Sequence, residues 1–270
     1  MSVSGISGRG RSQLARVLAG GRSSVTPGEV AAALDLDHVA ASKKLARWAS
    51  QGWLRRVRRG LYVAVPVDVE DPRSWSEDPL ILADAVWAPC YFTGWTAANH
   101  WTLTEQVFRT TVLKTTGRVR RTAQRLLDYQ YLVSHVAGQH MEWGLTPLWR
   151  AARRFLIADP ARVVIDVLDD PRLGGGIRLG AEILEAYLTE HPVESLIDYG
   201  DRLGNHTVFK RLGYLLEALH INADDIVEQC LIRRSAGVTR LDPSVVGSGH
   251  VSHRWSLRIN VAIAPDVEHR

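Results

Sequence analysis

The feature that most constrains the fold is a helix-start signal at Thr26-Pro27-Gly28-Glu29. A threonine side chain can accept a hydrogen bond at the N-cap, and proline fits the first helical position because its missing N–H has no helical partner there. A glutamate three residues after the threonine completes a capping box. Val30 and Leu34, four residues apart, give the short helix that follows an inward apolar face. These residues therefore place the start of a helix at Pro27.

Two further helices are predicted around this one. The apolar residues of positions 11–19 recur at helical spacing, which predicts a first helix there. After the second helix, Asp37 can cap a third one that runs to about Gln51, with Gly52 suited to end it. The N-terminal quarter is therefore predicted to contain three short helices, the last two separated by a tight turn.

The third helix combines an apolar inner side with a polar and basic outer side. Leu45 and Trp48 share one face and are expected to pack against the other two helices. The remaining faces carry Ser42, Lys43, Lys44 and Arg47. Such a helix, placed after a helix and a tight turn, is typical of a recognition helix that enters the major groove of DNA. Ser42 is the candidate for a base-edge contact, although sequence alone does not separate base contacts from phosphate contacts.

A hairpin rich in arginine follows this helix. Residues 53–57 and 61–65 have the composition of short strands, and Arg58-Arg59-Gly60 supplies the turn. Guanidinium groups at such a tip can bind phosphates or enter a narrow minor groove. The predicted wing carries Arg55, Arg56, Arg58 and Arg59. Residues from about 10 to 65 are interpreted as a winged helix-turn-helix that binds duplex DNA; a protein-interaction or RNA-binding module is the alternative.

Charge is distributed unevenly along the chain, whose formal net charge is +4. Residues 1–65 contain eleven lysines and arginines against three acidic residues, which gives +8. The other residues contain 22 basic and 26 acidic side chains, which gives −4. A basic N-terminal quarter beside a mildly acidic remainder favours a nucleic-acid surface in the first part of the chain.

The chain of 270 residues is long enough for two domains. Residues 67–76 are polar, acidic and proline-containing, and are predicted to form a linker. This assigns residues 1–66 to the winged helix-turn-helix domain and residues 77–270 to a larger C-terminal domain. The predicted fold class is therefore α+β.

The C-terminal domain is expected to mix strands and helices and to be helical in its second half. Residues 108–115 and 130–136 are rich in valine, threonine and aromatic side chains, which favours strands. From Ile177 onward, apolar residues recur at the spacing of helices that pack in a core. Alternating apolar residues over 255–263 predict a last, half-buried strand.

A second basic cluster lies between the two predicted strands of the C-terminal domain. It consists of Arg118, Arg120, Arg121 and Arg125. An exposed loop accounts for this cluster as well as a second contact with DNA or with a partner does, so both interpretations stay open.

The sequence offers no recognisable catalytic or metal-binding set. It lacks the His-Glu-x-x-His and Cys-x-x-Cys spacings of zinc sites and the Gly-x-Ser-x-Gly elbow of hydrolases. The glycines at 174–176 are not followed by the Lys-Ser/Thr pair of a P-loop. A metal-dependent nuclease would need a lysine close to an acidic pair. Beyond the N-terminal domain the only lysines are Lys114 and Lys210, and neither has an acidic partner at short spacing. We therefore expect no catalytic residue, no metal and no cofactor.

The cysteine content and the hydropathy indicate a cytoplasmic protein. Cys90 and Cys230 are far apart in sequence, which suits a reducing compartment and two packed thiols. No stretch approaches the roughly 20 apolar residues that cross a bilayer. The polar N-terminus lacks the apolar segment of a secretory signal.

Several segments, taken in order, carry a family resemblance. They are Arg59-Gly60-Leu61-Tyr62, the stretch YFTGWTAANHWTLTEQ from Tyr91 to Gln106, the stretch from Asp159-Pro160 to Gly175, the helix from Arg211 to Glu217, and the final Trp-x-Leu-x-Ile-Asn-Val from Trp255. Through these segments the chain resembles the AbiEi-type antitoxins of bacterial abortive-infection and type IV toxin–antitoxin systems, which include the mycobacterial MenA-like antitoxins.

The resemblance implies a function. Such antitoxins counter a nucleotidyltransferase-like toxin encoded beside them and repress their shared promoter by binding repeats in duplex DNA. Cooperative binding through both domains is also implied, which would extend the DNA contacts to the second basic cluster; direct contact with the toxin is left open. The alternatives are a stand-alone transcriptional regulator whose C-terminal domain senses a ligand or a protein, and a DNA-targeted nuclease.

Overall fold

A computed structural model of the chain describes residues 8–19, 24–66, 68–69, 71, 75–150 and 153–263. The chain divides into two compact units. The first unit comprises residues 1–88 together with 125–130, and the second comprises residues 89–124 and 131–270. The mixed α+β composition predicted from the sequence is confirmed.

The predicted boundaries at 1–66, 67–76 and 77–270 stay predictions. Half of the predicted linker, residues 67, 70 and 72–74, lies outside the described residues. Among the described residues, no helix is both long enough and apolar enough to span a bilayer. Cys90 and Cys230 are both buried, as expected for packed thiols.

The first unit contains helices and a small antiparallel sheet. Its strands pair in the order β1-β3-β2. The helices are α1 (Gly8–Val17), α2 (Pro27–Leu34), α3 (His38–Ser50) and α4 (Pro79–Trp87), and the strands are β1 (Ser24–Val25), β2 (Leu54–Arg58) and β3 (Leu61–Ala64).

The helix starts in this unit follow the predicted capping pattern. The Thr26 hydroxyl accepts a hydrogen bond from the Glu29 backbone N–H, and the Glu29 carboxylate accepts one from the Thr26 backbone N–H at 2.8 Å. Asp37 caps α3 by accepting from the Ala40 backbone N–H at 2.8 Å. Each cap satisfies N–H groups that have no partner within the helix. The predicted capping box is therefore confirmed.

The core of the first unit lies between α3 and its neighbours. Leu45 and Trp48 on α3 are buried together with Val17 of α1, Val30 of α2 and Leu54 of β2. Burying an aliphatic side chain of this size contributes about 1.5–3 kcal/mol. The inner face of α3 is therefore fixed by packing, and its opposite face is left for other contacts.

The second unit is built around a larger sheet that is followed by helices. A six-stranded sheet has the order β6-β7-β5-β4-β9-β8, in which β4 pairs parallel with β9 and antiparallel with β5. Its strands are β4 (Cys90–Phe92), β5 (Thr110–Thr115), β6 (Ala123–Leu126), β7 (Tyr129–His135), β8 (Leu145–Arg150) and β9 (Arg153–Ala158). Residues 125–130 of the β6–β7 hairpin are grouped with the first unit.

The second unit also contains six α-helices and a smaller sheet among its described residues. The helices are α5 (Gly94–His100), α6 (Pro160–Asp169), α7 (Ile177–Glu190), α8 (Ser195–Leu203), α9 (Thr207–Ala218) and α10 (Asp224–Arg233). The smaller sheet has the order β10-β12-β11 and consists of β10 (Thr239–Arg240), β11 (His250–Ser252) and β12 (Leu257–Ile259).

The last strand is shorter than the alternation over 255–263 predicts. The structure has only Leu257–Ile259 as strand. Ser256 adopts a left-handed φ of 51°, and the Asn260 amide donates to the Asp242 carbonyl at 2.7 Å, so the chain turns on both sides. Trp255 is buried against α9, where a side chain added at Gly213 would overlap its ring.

Candidate nucleic-acid interface

The outer face of α3 is polar, basic and free of carboxylates. Lys43 and Arg47 lie one turn apart and are both exposed, and Ser42 beside them is half-buried. Val39, one turn before Lys43, is 62% exposed. With Leu45 and Trp48 buried on the opposite side, α3 is held by its apolar face and presents the basic one.

Lys44 is engaged inside the first unit. Its ammonium donates to Gln13 Oε1 of α1 at 2.9 Å and lies 5.4 Å from the centre of the Trp48 ring. These contacts tie α1 to α3 through a cation that the sequence interpretation assigned to DNA. Of the cationic residues predicted on α3, the exposed ones are therefore Lys43 and Arg47.

The hairpin that follows α3 has an irregular register. Arg56 pairs with Tyr62 and Arg58 pairs with Leu61, so Val57 between them is an extra residue in a bulge. A bulge increases the local twist and redirects nearby side chains. The turn needs a glycine, since Gly60 has a φ of 77°.

The hairpin arginines differ in how many hydrogen bonds and ion pairs they form within the first unit. The Arg55 side chain donates to the Trp75 carbonyl and forms an ion pair with Asp128 at 3.0 Å. The other three are exposed at the end of the hairpin: Arg56, Arg58 and Arg59. Two of them form long hydrogen bonds: Arg56 Nε donates to the Arg58 carbonyl and Arg58 Nη2 donates to the Val86 carbonyl, each at 3.4 Å.

No acidic residue occurs on α3 or anywhere from Leu54 to Ala64. The geometry therefore places five exposed cations on two adjoining elements: Lys43, Arg47, Arg56, Arg58 and Arg59. Three exposed arginines of α1, Arg9, Arg11 and Arg16, were not predicted from the sequence as site residues, and Arg16 donates to the Ala33 carbonyl. The only signal for them was the count of basic residues in the first quarter of the chain.

The second basic cluster is exposed throughout. Arg118, Arg120 and Arg121 lie in the loop before β6. Arg125 lies on β6, and its Nε donates to the Leu127 carbonyl at 3.1 Å. This placement suits either interpretation of the cluster, an exposed loop or a further contact, and both remain predictions.

A densely hydrogen-bonded polar group of the second unit is the carboxylate of Asp166, which is fully buried on α6. Lys114 Nζ donates to Oδ1 at 2.9 Å and Arg162 Nε to the same oxygen at 3.1 Å. The hydroxyls of Tyr91 and Thr93 donate to Oδ2 at 3.0 and 2.7 Å. Five residues from α6, β5 and the segment 91–93 are thereby tied together.

Electrostatics keeps this cluster ionised. Burial alone would raise the pKa of Asp166, but the positive charges of Lys114 and Arg162 outweigh it and lower the pKa. Burial and the nearby Asp166 charge raise the pKa of the Tyr91 hydroxyl well above its ordinary value. At neutral pH the carboxylate is therefore charged and Tyr91 is a donor.

The cluster brings an acidic pair next to a lysine, which no spacing in the sequence indicated. Lys114 Nζ lies 2.9 Å from Asp166 and 3.5 Å from Asp169, although the residues are more than 50 positions apart. Both oxygens of Asp166 are occupied by internal donors and none of its surface is exposed. No group of three or more metal-ligating residues is found within the described part of the chain. The carboxylate of Asp166 is thus engaged entirely by contacts within the second unit.

A surface groove of about 560 Å³ lies next to this cluster in the second unit. Its charged groups are mostly engaged internally. Arg172 forms two hydrogen bonds with the Asp170 carboxylate at 2.7 and 2.8 Å. Arg211 donates to the backbone carbonyls of Leu168, Asp169, Arg240 and Leu241.

Comparison with known proteins gives two findings. Residues 12–65 match the family described as "Transcriptional regulator, AbiEi antitoxin". The fold is similar to the crystal structure of the RV2827C protein from Mycobacterium tuberculosis, with a TM-score of 0.63 and 16% sequence identity over 95% of this chain and 93% of that one. No curated protein matches the chain. The family match supports the predicted resemblance, and the structural match shows the fold alone.

Proposed function

We propose that this chain, whose residues 12–65 match the AbiEi antitoxin family of transcriptional regulators, is a DNA-binding antitoxin that represses its own operon. One observation carries the proposal. The matched residues are also those that present Lys43 and Arg47 on the outer side of α3 and three exposed arginines on the hairpin after it. A basic helix beside a basic hairpin is the geometry by which a winged helix-turn-helix reads duplex DNA.

In this proposal α2 and α3 form the helix-turn-helix and the β2–β3 hairpin is the wing. Asp35, with a left-handed φ of 53°, and the Asp37 cap set the turn between the two helices. Lys43 and Arg47 bind phosphates or base edges from α3, and Arg56, Arg58 and Arg59 bind the flanking backbone. Arg55 and Lys44 act mainly by holding the unit together, because both are engaged internally.

The proposal extends to the second unit by family resemblance. The chain would counter a nucleotidyltransferase-like toxin in the cytoplasm, with or without direct contact, and would not be an enzyme. The buried, internally bonded Asp166 supports a non-catalytic role for the cluster around it. Incubation with plasmid DNA and Mg²⁺ or Mn²⁺ should give no nicking; cleavage that is lost in Lys114→Ala would contradict this part of the proposal.

The proposal is tested by electrophoretic mobility shift with the DNA upstream of the gene and an unrelated duplex, each titrated in steps of salt. We expect preferential, salt-sensitive binding to the upstream DNA. The double substitution Lys43→Ala with Arg56→Ala should weaken binding to both duplexes, whereas the exposed Arg202→Ala in the second unit serves as the control. Equal or absent binding to the two duplexes would reject operator recognition.

A stand-alone regulator is the second candidate, because the groove beside Arg211 offers a place for a small ligand. The two candidates predict different neighbouring genes and different effects of the chain on the growth of cells that express a toxin. Co-expression with an adjacent nucleotidyltransferase-like protein should restore growth if the chain is an antitoxin. A chain that represses transcription but leaves toxicity unchanged would favour the stand-alone regulator.

A further inference from the structure

The hairpin of β8 and β9 carries an exposed tryptophan. The chain has nine tryptophans, all within the described residues, and eight of them are buried or half-buried. Trp149 is the exception, with 65% of its surface exposed. A tryptophan side chain can bury about 150–250 Å² when it packs against a partner. Leaving this surface in water forgoes a large hydrophobic gain, so the ring is available for a contact from outside the unit.

The register of the hairpin places Trp149 beside an arginine. Trp149 pairs with Arg154 across the two strands, and Pro147 pairs with Leu156 two residues further along the same face. The opposite face contains the buried Phe155 and belongs to the core. Trp149 and Arg154 therefore project together from the outward face of the sheet.

The hairpin is strongly basic. No acidic residue occurs from Trp143 to Ala158, whereas Arg150, Arg153 and Arg154 all lie next to the turn. The exposed His100 ring is close enough to Arg150 that burial and the arginine charge together lower the pKa of the histidine. Arg150 pairs with Arg153, one residue along each strand from Trp149 and Arg154, so this second pair projects from the other face of the hairpin. The outward face therefore combines the Trp149 ring and the Arg154 guanidinium, and Arg150 and Arg153 add positive charge at the strand ends. We call it the Trp149 platform.

We propose that the Trp149 platform binds single-stranded nucleic acid, with a base stacked on the indole and a neighbouring phosphate bound by Arg154. Stacking needs the flat face of a base, and single strands expose such faces whereas a duplex exposes mainly base edges and backbone. Arg154 beside the ring, with the positive charge of Arg150 and Arg153 at the strand ends, provides the charge complementarity for phosphates. This function is separate from the duplex binding proposed for the first unit and does not depend on it.

The geometry disfavours a second copy of the chain as the occupant. β8 is the last strand in the order of the six-stranded sheet, so a second β8 could in principle pair with it. Pro147 lacks the N–H needed for a continuous ladder, and two copies would bring two sets of three arginines together. Like charges at a pairing edge oppose such an interface.

The test uses the full chain and fluorescently labelled oligouridylate and oligothymidylate of about 12 nucleotides. We expect saturable changes in anisotropy with the wild-type chain. Trp149→Ala should weaken binding at least about fivefold, and Trp149→Phe should retain part of it because phenylalanine still stacks. Arg154→Ala should weaken binding and reduce its salt dependence, while Arg202→Ala should match the wild type. An unchanged thermal midpoint would show that each variant is folded.

Location is tested by photocrosslinking with an oligonucleotide that contains 5-bromouridine. The adduct should map to the peptide that carries Trp149 and should disappear in Trp149→Ala. Lys43→Ala with Arg56→Ala should leave both readouts unchanged. Oligonucleotide binding that does not respond to Trp149→Ala overturns the proposal, as does the absence of binding. A Trp149→Ala effect confined to duplex DNA, or to association with a protein partner, would assign the platform to that partner instead.

Discussion

At the scale of single residues, Asp166 has the largest expected effect on stability. Its carboxylate is fully buried and accepts hydrogen bonds from Lys114, Arg162, Tyr91 and Thr93. The Arg162 guanidinium also lies 3.6 Å from the centre of the Trp143 ring. Burying charges is costly, and the cost is offset only when every partner is present. Removing one member therefore leaves the other charges without compensation.

Asp166→Asn should destabilise the chain by about 3–5 kcal/mol, because it leaves Arg162 buried without its counter-charge and Lys114 with only the more distant Asp169. Chemical unfolding measured by tryptophan fluorescence would give this value. The matched control is Asp128→Asn, which removes a surface ion pair with Arg55 and should cost about 1 kcal/mol or less. A cost for Asp166→Asn as small as that of the control would show that the cluster is not a centre of stability.

The same residue gives a pH dependence of defined sign. Since the pKa of Asp166 is lower in the folded chain, its charge contributes stability at pH values above the unfolded pKa of about 3.9 and loses it as pH falls through the folded pKa. The difference in unfolding free energy between wild type and Asp166→Asn should therefore shrink below about pH 4. A constant difference over that range would contradict the assignment of the ionised state.

Only part of the candidate interface could be predicted residue by residue. The exposure of Lys43 and Arg47 follows from the helical spacing of Leu45 and Trp48, which is a local property. The engagement of Lys44 and Arg55 does not, because their partners Gln13 and Asp128 are 31 and 73 positions away. Sequence therefore identifies the basic face and leaves open which cations on it are free to bind.

At the scale of elements, helices were predictable from the sequence where a capping residue precedes them. Thr26, Asp37 and Asp159 each precede a helix and accept a hydrogen bond from its first turn. The strand β8 was not predicted, since it contains a proline and one face is exposed. β8 forms because it pairs with β9, and the pairing of two strands depends on the tertiary structure and not on the local sequence. The stretch containing the Trp149 platform was missed for this reason.

Thr26→Ala tests the capping box. It should destabilise the first unit by about 0.5–2 kcal/mol, because the Glu29 N–H loses its acceptor and the Glu29 carboxylate loses the hydrogen bond donated by the Thr26 hydroxyl. Thr26→Ser, which keeps the hydroxyl, should restore most of the loss. Hydrogen exchange of the amides in α2 would report the effect locally. Equal exchange in wild type and Thr26→Ala would mean that packing alone holds the helix.

Gly213→Ala tests the packing of α9 against Trp255. An added methyl group would overlap the buried indole ring, so the helix or the tryptophan must shift. We expect a loss of about 1–3 kcal/mol, although alanine normally stabilises a helix relative to glycine. Gly247→Ala is the control, because no atom lies within 4 Å of its added methyl group. A stabilised Gly213→Ala variant would indicate that Trp255 moves freely.

At the scale of the whole molecule, the distribution of charge determines which part of the chain attracts DNA phosphates. Residues 1–65 carry +8 and the remainder carries −4. DNA phosphates are therefore attracted mainly to the first quarter of the chain, and most of the rest repels them weakly. The second basic cluster departs from this average, since Arg118, Arg120 and Arg121 are exposed in a remainder whose net charge is negative.

The salt dependence of binding to the upstream duplex can separate the two interpretations of that cluster. Each phosphate that a cation neutralises contributes about 0.9 to the slope of log K against log salt, so Lys43→Ala should lower the slope by about one. If the cluster binds DNA, the combined substitution of Arg118, Arg120 and Arg121 by alanine should lower the slope by up to about three. If it is only an exposed loop, the slope should equal that of wild type and of Arg202→Ala. Because slopes report the number of contacts, a loss of affinity at constant slope would instead indicate an altered fold, and the cluster would be excluded as a phosphate-binding surface.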